Sequence, residues 1–490
     1  MKIENIPYIC DYTNGRELPE INHVTSNVRD IGEGSLFVLT KKSDGRKREL
    51  PHFVNTPRAI VCEYDDAEGI DHPFVIAVEN ARCALSFACA AVYAPNLNRM
   101  KFLSITGTNG KTTTAYALYH ILSYAGKKAA FIGNGLIEAL GVKLSDTDYS
   151  MTTPDPELLY KHLGEFEKMQ IEYVVIEASS HAIALSKLDP THFLVGAFTN
   201  LSHEHMDFHR TVQHYLDTKL RLFRLCDAAI INADDRICRD ALDRIRCKAV
   251  TVGALFDGDV KLHTIEDKGL SGISYIYKAK NCSFRVKTET AGIYNVYNTA
   301  IAATCASEIG IAPCVIKKAL STFKGMKGRY EIINGEIKVI IDYAHTPFAI
   351  KSFLSSVRKG VVGKGRLICV FGCGGERDSS KRPLIARAVE EYADTVIVTE
   401  DNSRNEDPEA IIKDIFEGFS KKEKVKQIPE RACAIEFAIL SAGENDTVAL
   451  IGKGSENYNI DRHGFQPFNE REIIAKAFEL RRKNQNENKA

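Results

Sequence analysis

The chain has no excess of either charge: lysine and arginine together number 64, and so do aspartate and glutamate. With no net field, general electrostatic binding to nucleic acid or to an anionic membrane surface is not expected. Long apolar runs are missing too. The opening stretch MKIENIPYICDYTNGRELPE has no hydrophobic core of signal-peptide length, and no later segment approaches the roughly 20 apolar residues of a spanning helix, so no membrane insertion is expected. The thirteen cysteines include no Cys-x-x-Cys pair and are odd in number, which suits a reducing compartment better than a disulfide framework. No short-period repeat is present. These absences leave a cytoplasmic α/β protein of 490 residues, with two to four domains at roughly 100–200 residues each.

What is there falls into three blocks. Residues 1–97 mix short strands (GSLFVLT, RAIVCEYD, PFVIAV) with one helix, NARCALSFACAAVYA, and end at Pro95 and a polar NLNR. Residues 98–327 alternate continuous apolar runs (KFLSITG, YVVIEASS, FLVGAFTN, AAIINADD) with helices, as buried parallel strands do. Within this block, residues 250–290 suggest an antiparallel excursion, followed by helices VYNTAIAATCASEIG and APCVIKKALSTF and a Gly/Lys-rich KGMKGR. Residues 328–490 repeat the alternation through KVIIDYAH, RLICVFGCGG, DTVIVTED and DTVALIGKG, and the polar tail RRKNQNENKA is expected to fray. The expected fold is three α/β domains: a small N-terminal one, a central one with a mostly parallel sheet, and a C-terminal Rossmann-like one.

One further absence is local. In SITGTNGKTTTAYALYHIL the commonest phosphate-loop pattern would place a glycine five residues before Gly110, but that position is Ile105, and the earlier glycine is Gly107. The strand before and the helix after still frame a phosphate site. Gly107 and Gly110 allow the tight turn that points N–H groups at phosphate oxygens. Lys111 can reach a terminal phosphate, and the Thr112 hydroxyl suits magnesium. Hard ligands are expected at neighbouring strand ends: Glu177, Ser179, Ser180 and His181 end one strand, and His205, Asp207 and His209 follow another. Read alone, the alternation His203, His205, Asp207, His209 also suits zinc if the imidazoles share one strand face. Zinc would leave the phosphate loop unexplained, whereas one histidine lent to a catalytic metal accounts for both.

In chain order, GTNGKTT, EASSH, TNLSHEHMDFH, YLDTKLRLF, GIYNVYN, MKGRYE, DYAHTP, FGCGGERD, DNSRNEDP and GKGSENY resemble the motifs of the Mur ligases, over nearly the whole chain. The likeness is to members that add the third residue of the peptidoglycan stem peptide, and TGTNGKTT matches that family's shortened phosphate loop. The resemblance implies ATP-dependent ligation: ATP phosphorylates a carboxylate of a UDP-N-acetylmuramoyl dipeptide, an amine attacks the acyl phosphate, and phosphate leaves. It implies a phosphate loop of Gly107, Thr108, Asn109, Gly110, Lys111, Thr112 and Thr113, with Lys111, Glu177, His205 and Lys219 as catalytic groups. Two Mg2+ ions would be held by Thr112, Glu177, His205 and Lys219, the last as a carbamate. Asn298 matches the adenine contact, Arg329 a phosphate arginine, Asp342 the ribose carboxylate, and His345 lies close to the nucleotide. Closure of the third block is expected to complete the site.

For the carrier substrate the resemblance implies Asn27, Arg29, Thr152, Thr153, Ser179 and Lys187. For the acceptor it implies Arg377, Asp401, Asn402, Arg404, Gly452 and Glu456. Arginine beside a distal carboxylate favours meso-diaminopimelate over lysine, which lacks that group. Departures from the family pattern are Val28 for a serine, Met151 for asparagine, Lys187 for arginine, Phe348 for aspartate, Ser403 for proline and Ser455 for histidine. A paralogue using lysine or another amine is the alternative, followed by a nucleotide-binding regulator without ligation. A monomer is expected.

Overall fold

A computed structural model describes residues 1–13, 17–41, 55–144, 151–202, 204–361 and 363–487. Contacts group the chain into two compact units, Met1–Lys261 with Asn298–Ala319, and Leu262–Tyr297 with Leu320–Ala490.

The first unit opens with four parallel strands in sequence order, His23–Thr25, Ser35–Val38, Ala59–Glu63 and Val75–Val78. Ser35–Val38 is buried at every position, which is why its sequence shows no polar alternation. Helix Ala81–Tyr93 packs on this sheet. It starts where Asn80 can cap it: the Asn80 side chain accepts from the N–H groups of Arg82 and Cys83.

The larger sheet of the first unit runs in the order Lys248–Gly253, Cys226–Asn232, Phe193–Phe198, Lys101–Thr106, Tyr173–Glu177, Ala129–Gly133, all parallel. Two short antiparallel strands, Leu136–Ala139 and Val142–Lys143, finish one edge. The earliest of the parallel strands, Lys101–Thr106, therefore lies inside the sheet between two later ones. Loops 107–110, 178–179 and 199–202 leave the carboxyl ends of three adjacent strands, where open parallel sheets place their ligands.

In the second unit, Ile273–Ala279 and Cys282–Thr288 form the antiparallel hairpin expected near residues 250–290. Its main sheet has the order Glu331–Asn334, Lys338–Asp342, Thr447–Ile451, Leu367–Phe371, Thr395–Val398, Val425–Gln427, parallel except for the first pair. Alternate residues of these strands feed two separate apolar clusters. Ile340, Leu367 and Cys369 enter one, while Val339, Ile341, Ile368 and Val370 enter the other. The sheet is thus covered on both faces, as its unbroken apolar runs require.

Several elements were not expected: strands His23–Thr25, Glu331–Asn334 and Val425–Gln427, and the hairpin Tyr458–Asp461 with Gly464–Pro467. The C-terminal tail also departs from expectation. Helix Glu470–Glu487 runs through residues expected to fray. Arg481 anchors it, only 7% exposed, donating to Glu336 Oε2 at 3.1 Å and to the Ile439 carbonyl at 2.7 Å near the end of helix Arg431–Ser441. Among the described residues no helix is long and apolar enough to cross a membrane.

Candidate active site

The phosphate loop is built by two glycines that no other residue could replace. Gly107 has φ +145°, and a Cβ there would lie 1.9 Å from Thr199 Oγ1; Gly110 has φ +83°, and its Cβ would lie 2.3 Å from Asn298 Oδ1. The neighbouring strand end holds the loop. The Thr108 N–H donates to the Asn200 carbonyl at 2.8 Å and the Asn109 N–H to Asn200 Oδ1 at 2.9 Å, while the Asn109 carbonyl accepts from Thr199 Oγ1 at 2.6 Å. Helix Lys111–Tyr124 begins directly after Gly110, so the positive end of its backbone dipole faces whatever the loop cradles.

Lys111 Nζ donates to the carbonyls of Gly107 (3.1 Å) and Thr108 (2.9 Å). Thr112 Oγ1 donates to Glu177 Oε2 at 3.0 Å. Room for the Glu177 side chain comes from Gly133, where a Cβ would meet Glu177 Oε1 at 2.3 Å. Lys219, 1% exposed, also reaches the loop: its Nζ donates to the Gly107 carbonyl at 2.9 Å and to Thr106 Oγ1 at 3.3 Å. Burial, then the charge of Lys111, pushes the Lys219 pKa well below the ordinary lysine value. The ring of Tyr215, one helical turn earlier, lies 4.6 Å from Lys219 Nζ.

His205 has a pKa lowered to about 3, chiefly by burial and further by His181, Lys111 and Lys219, against a raising effect of Glu204. It is a neutral imidazole, able to lend a lone pair. The zinc alternative meets a different backbone. The strand ends at Phe198, Met206–His209 is a short helix, and His205 precedes it with φ 57°. The imidazoles therefore do not alternate on one strand face; His203 lies outside the described residues. No group of three or more His, Cys, Asp or Glu able to hold a metal occurs among the described residues. A hydroxyl, a carboxylate and a neutral imidazole fit Mg2+, which takes few protein ligands and completes its shell with phosphate oxygens and water.

Thr153 links the next group of predicted residues to this centre. Its hydroxyl donates to the Glu177 carbonyl at 2.6 Å and accepts from the Ser179 N–H at 3.1 Å. Lys187 Nζ pairs with Asp155 Oδ1 at 2.7 Å and lies 3.4 Å from the Thr153 carbonyl, so this cation secures the 152–155 segment. Asn27 and Arg29 are exposed, with the Asn27 side chain capping the short turn Val28–Asp30. Beside them, Ser26 donates from its N–H and hydroxyl to Glu157 Oε1 on helix Pro156–Lys168. Asn298 lies against Gly110, with Thr114 Oγ1 3.4 Å from its Oδ1.

In the second unit the remaining residues gather at the carboxyl ends of four adjacent strands. Asp342 is buried and its pKa is raised, first by desolvation, although it accepts from the Tyr330 and Ala344 N–H groups, each at 2.7 Å. The Arg329 guanidinium stacks 4.1 Å from the Tyr343 ring centre, and His345 Nδ1 lies 2.9 Å from the Tyr343 carbonyl. Around the DNSR stretch, Asn402 Nδ2 donates to Glu456 Oε2 at 2.8 Å, and Arg404 Nη1 donates to the carbonyls of Gly375 (2.7 Å) and Asn402 (3.2 Å). Gly452 leaves space for Asp401, whose Oδ2 would be 2.8 Å from a Cβ at that position. Desolvation pushes Asp401 up, but Lys453 and Arg431 outweigh it and hold the carboxylate ionised.

Sequence reasoning passed over Lys453. This residue is fully buried, donates to Asn402 Oδ1 (3.0 Å) and the Tyr458 carbonyl (2.8 Å), and lies 3.3 Å from Asp401. A lysine between two glycines in GKGSE was the available signal. Thr199, Asn200 and Tyr215 were also missed, because their contacts depend on strand order.

The Mur ligase middle-domain model matches residues 105–306, and the Mur ligase glutamate ligase domain model matches residues 328–454. A relative from Aquifex aeolicus (strain VF5), named UDP-N-acetylmuramoyl-L-alanyl-D-glutamate--2,6-diaminopimelate ligase, is 36% identical over 466 residues, 93% of each chain. The chain belongs to the Mur ligase family. A Mur ligase of the same name from Clostridium botulinum (strain ATCC 19397 / Type A) is 34% identical over 480 residues, 96% of this chain and 97% of its own. A solved structure of a UDP-N-acetylmuramoyl-L-alanyl-D-glutamate--2,6-diaminopimelate ligase matches with TM-score 0.68 at 25% identity, covering 98% of this chain and 99% of the other. An Acinetobacter baumannii D-alanyl-D-alanyl-adding ligase shares the fold, with TM-score 0.61 at 18% identity over 97% of this chain and 98% of its own. This Mur ligase thus has the family's three-domain α/β fold. Mur ligases use ATP and Mg2+, which the donor set around Thr112 accommodates.

Proposed function

We propose that this Mur ligase joins meso-diaminopimelate to UDP-N-acetylmuramoyl-L-alanyl-D-glutamate, forming an amide at the glutamate γ-carboxyl through an acyl phosphate, in the cytoplasm and as a monomer. The observation that carries the acceptor assignment is that Arg404 and Glu456 are tied to one residue. Asn402 accepts from Arg404 through its carbonyl and donates to Glu456 through its amide. A cation and an anion on either side of one residue suit the distal carboxylate and ammonium of diaminopimelate.

The functional domains proposed are 1–97 for the UDP-linked substrate, 98–327 for ATP, and 328–490 for the amino acid. Asn27, Arg29, Thr152, Thr153, Ser179 and Lys187 are assigned to the carrier, Lys187 and Thr153 by shaping their segment. The loop from Gly107 to Thr113 cradles the ATP phosphates, with Lys111 on the terminal one. Asn298 is assigned to adenine, and Arg329, Asp342 and His345 to the phosphates and ribose. Thr112, Glu177, His205 and a carbamylated Lys219 are assigned to two Mg2+ ions. In its neutral form the buried Lys219 amine can add carbon dioxide, losing a proton and becoming an anion. Bound magnesium supplies neutralisation of phosphoryl charge. Lys111 orients the terminal phosphate for attack by the γ-carboxylate, and ADP leaves. Arg377, Arg404 and Glu456, with Asp401, Asn402 and Gly452 shaping the pocket, hold the amino acid so that its amine attacks the acyl phosphate and phosphate departs.

The test is ADP release by the purified chain with a panel of amino acids. Release that requires both the UDP-linked dipeptide and diaminopimelate supports the reading. Preference for lysine overturns the acceptor, and release without either substrate overturns ligation.

A further inference from the structure

Two acceptor loops of the second unit are bolted together by a buried arginine that lies in neither. Arg382, on helix Lys381–Tyr392, is 2% exposed and grips Glu406 with both terminal nitrogens, Nη1 to Oε1 at 2.6 Å and Nη2 to Oε2 at 2.7 Å. Glu406 Oε2 also accepts from the Glu376 N–H at 3.0 Å. Glu406 follows Arg404 by two residues, and Glu376 precedes Arg377. One carboxylate therefore spans the loop that carries Arg404 and the loop that carries Arg377. The seam continues on both sides: the Gly375 N–H donates to the Asn402 carbonyl at 2.9 Å, Arg404 Nη1 donates to the Gly375 carbonyl, and Asn405 Nδ2 donates to Glu376 Oε1 at 2.9 Å.

The backbone on each side needs this support. Glu376 has φ 53° and Arg404 has φ 55°. A residue with a Cβ persists in left-handed backbone only when its surroundings over-determine it. Loop 402–406 lacks the stiffening a proline at Ser403 would bring, and the ion pair is rigid where a turn residue is not. A guanidinium fork on a carboxylate fixes angle as well as distance, which a lysine cannot do.

We propose that the Arg382–Glu406 pair is a positioning device that sets the spacing between Arg377 and Arg404, and with it selectivity for an amino acid bearing a second carboxylate. This rests on the acceptor reading above. Asp414 provides an internal control: it accepts from Arg382 Nη1 at 2.8 Å and lies on helix Pro408–Phe416, which carries neither Arg377 nor Arg404.

The experiment compares R382K, E406Q and D414N in the full chain by ADP release, with diaminopimelate, lysine and ATP varied in turn and thermal unfolding recorded for each. R382K and E406Q are expected to raise the KM for diaminopimelate roughly ten- to hundredfold. They should narrow its advantage over lysine, with kcat and the KM for ATP little changed, and D414N should behave as wild type. An unchanged KM in R382K and E406Q overturns the proposal. So does an equal shift in D414N, a parallel collapse of kcat and ATP binding, or failure of both R382K and E406Q to fold, each of which marks a merely structural pair. Should wild type prefer lysine, the acceptor reading falls, and the positioning role is then judged by the KM for lysine in the same variants.

Discussion

Thr112 Oγ1 donates to Glu177 Oε2 across 3.0 Å, joining the first turn of the helix after the phosphate loop to the end of the neighbouring strand. The pair sets a hydroxyl beside a carboxylate, two oxygen ligands of the kind a hard cation takes. Replacing Thr112 with valine is expected to raise the Mg2+ concentration for half-maximal ADP release by roughly ten- to hundredfold, the usual cost of disturbing a ligand or its support. A magnesium titration indistinguishable from wild type would remove Thr112 from the site.

Lys111 lies at the start of the same helix, with its ammonium on the loop carbonyls of Gly107 and Thr108. K111A should lower kcat by roughly a hundred- to a thousandfold, as loss of one fixed group facing developing charge does. A near-normal rate at saturating ATP would contradict the phosphate-loop assignment.

Lys219 is buried against the Gly107 carbonyl and the Tyr215 ring. K219A is expected to lose nearly all turnover, and millimolar short carboxylic acids should restore part of it by standing in for the carbamate oxygens. Rescue by simple amines instead would identify a lysine that works as a cation, and the carbamate would be discarded.

The proposed acceptor choice turns on Arg404. Lysine in a pocket built for diaminopimelate would leave the Arg404 charge without its carboxylate partner, at a cost of about 2–5 kcal/mol, or roughly 30- to several-thousand-fold in discrimination. R404A should raise the KM for diaminopimelate sharply and leave that for ATP nearly unchanged. Equal treatment of the two amino acids by wild type and R404A would sink the assignment.

Stability is expected to respond to a different buried pair. Arg431 Nε donates to Glu470 Oε1 at 2.8 Å, and both residues are almost fully buried, 3% and 1% exposed. E470L alone strands a charge and should destabilise by about 3–5 kcal/mol, whereas the double change R431M/E470L should be far milder. Urea unfolding midpoints report this directly; a double variant as unstable as the single one would rule out charge burial as the cause.

Much of the architecture was legible along the chain. Unbroken apolar runs such as YVVIE and LICVF are strands because a sheet covered on both faces demands apolar side chains at every position. The phosphate loop was legible because glycine spacing, Gly-Lys-Thr and the flanking strand and helix are all local. The hairpin Tyr458–Asp461 with Gly464–Pro467 and the helix through Glu487 were not, since the hairpin strands are short and polar residues dominate the helix. They are stabilised by distant partners, Asn402 for the hairpin and Glu336 for the helix.

The sequence by itself therefore determined the fold class, the phosphate loop and the types of residue available for chemistry, all of which follow from spacing within a few residues. Tertiary structure alone decided which of them meet. It brought Thr199 and Asn200 onto Asn109 because strand Phe193–Phe198 pairs with Lys101–Thr106. It also buried Lys219 and Lys453 far from water, and joined Arg382 to Glu406 across two loops. Burial and long-range pairing depend on strand order and packing, which no local pattern records, and they are what shift a lysine toward its neutral form or fix an arginine at a set distance from its neighbour.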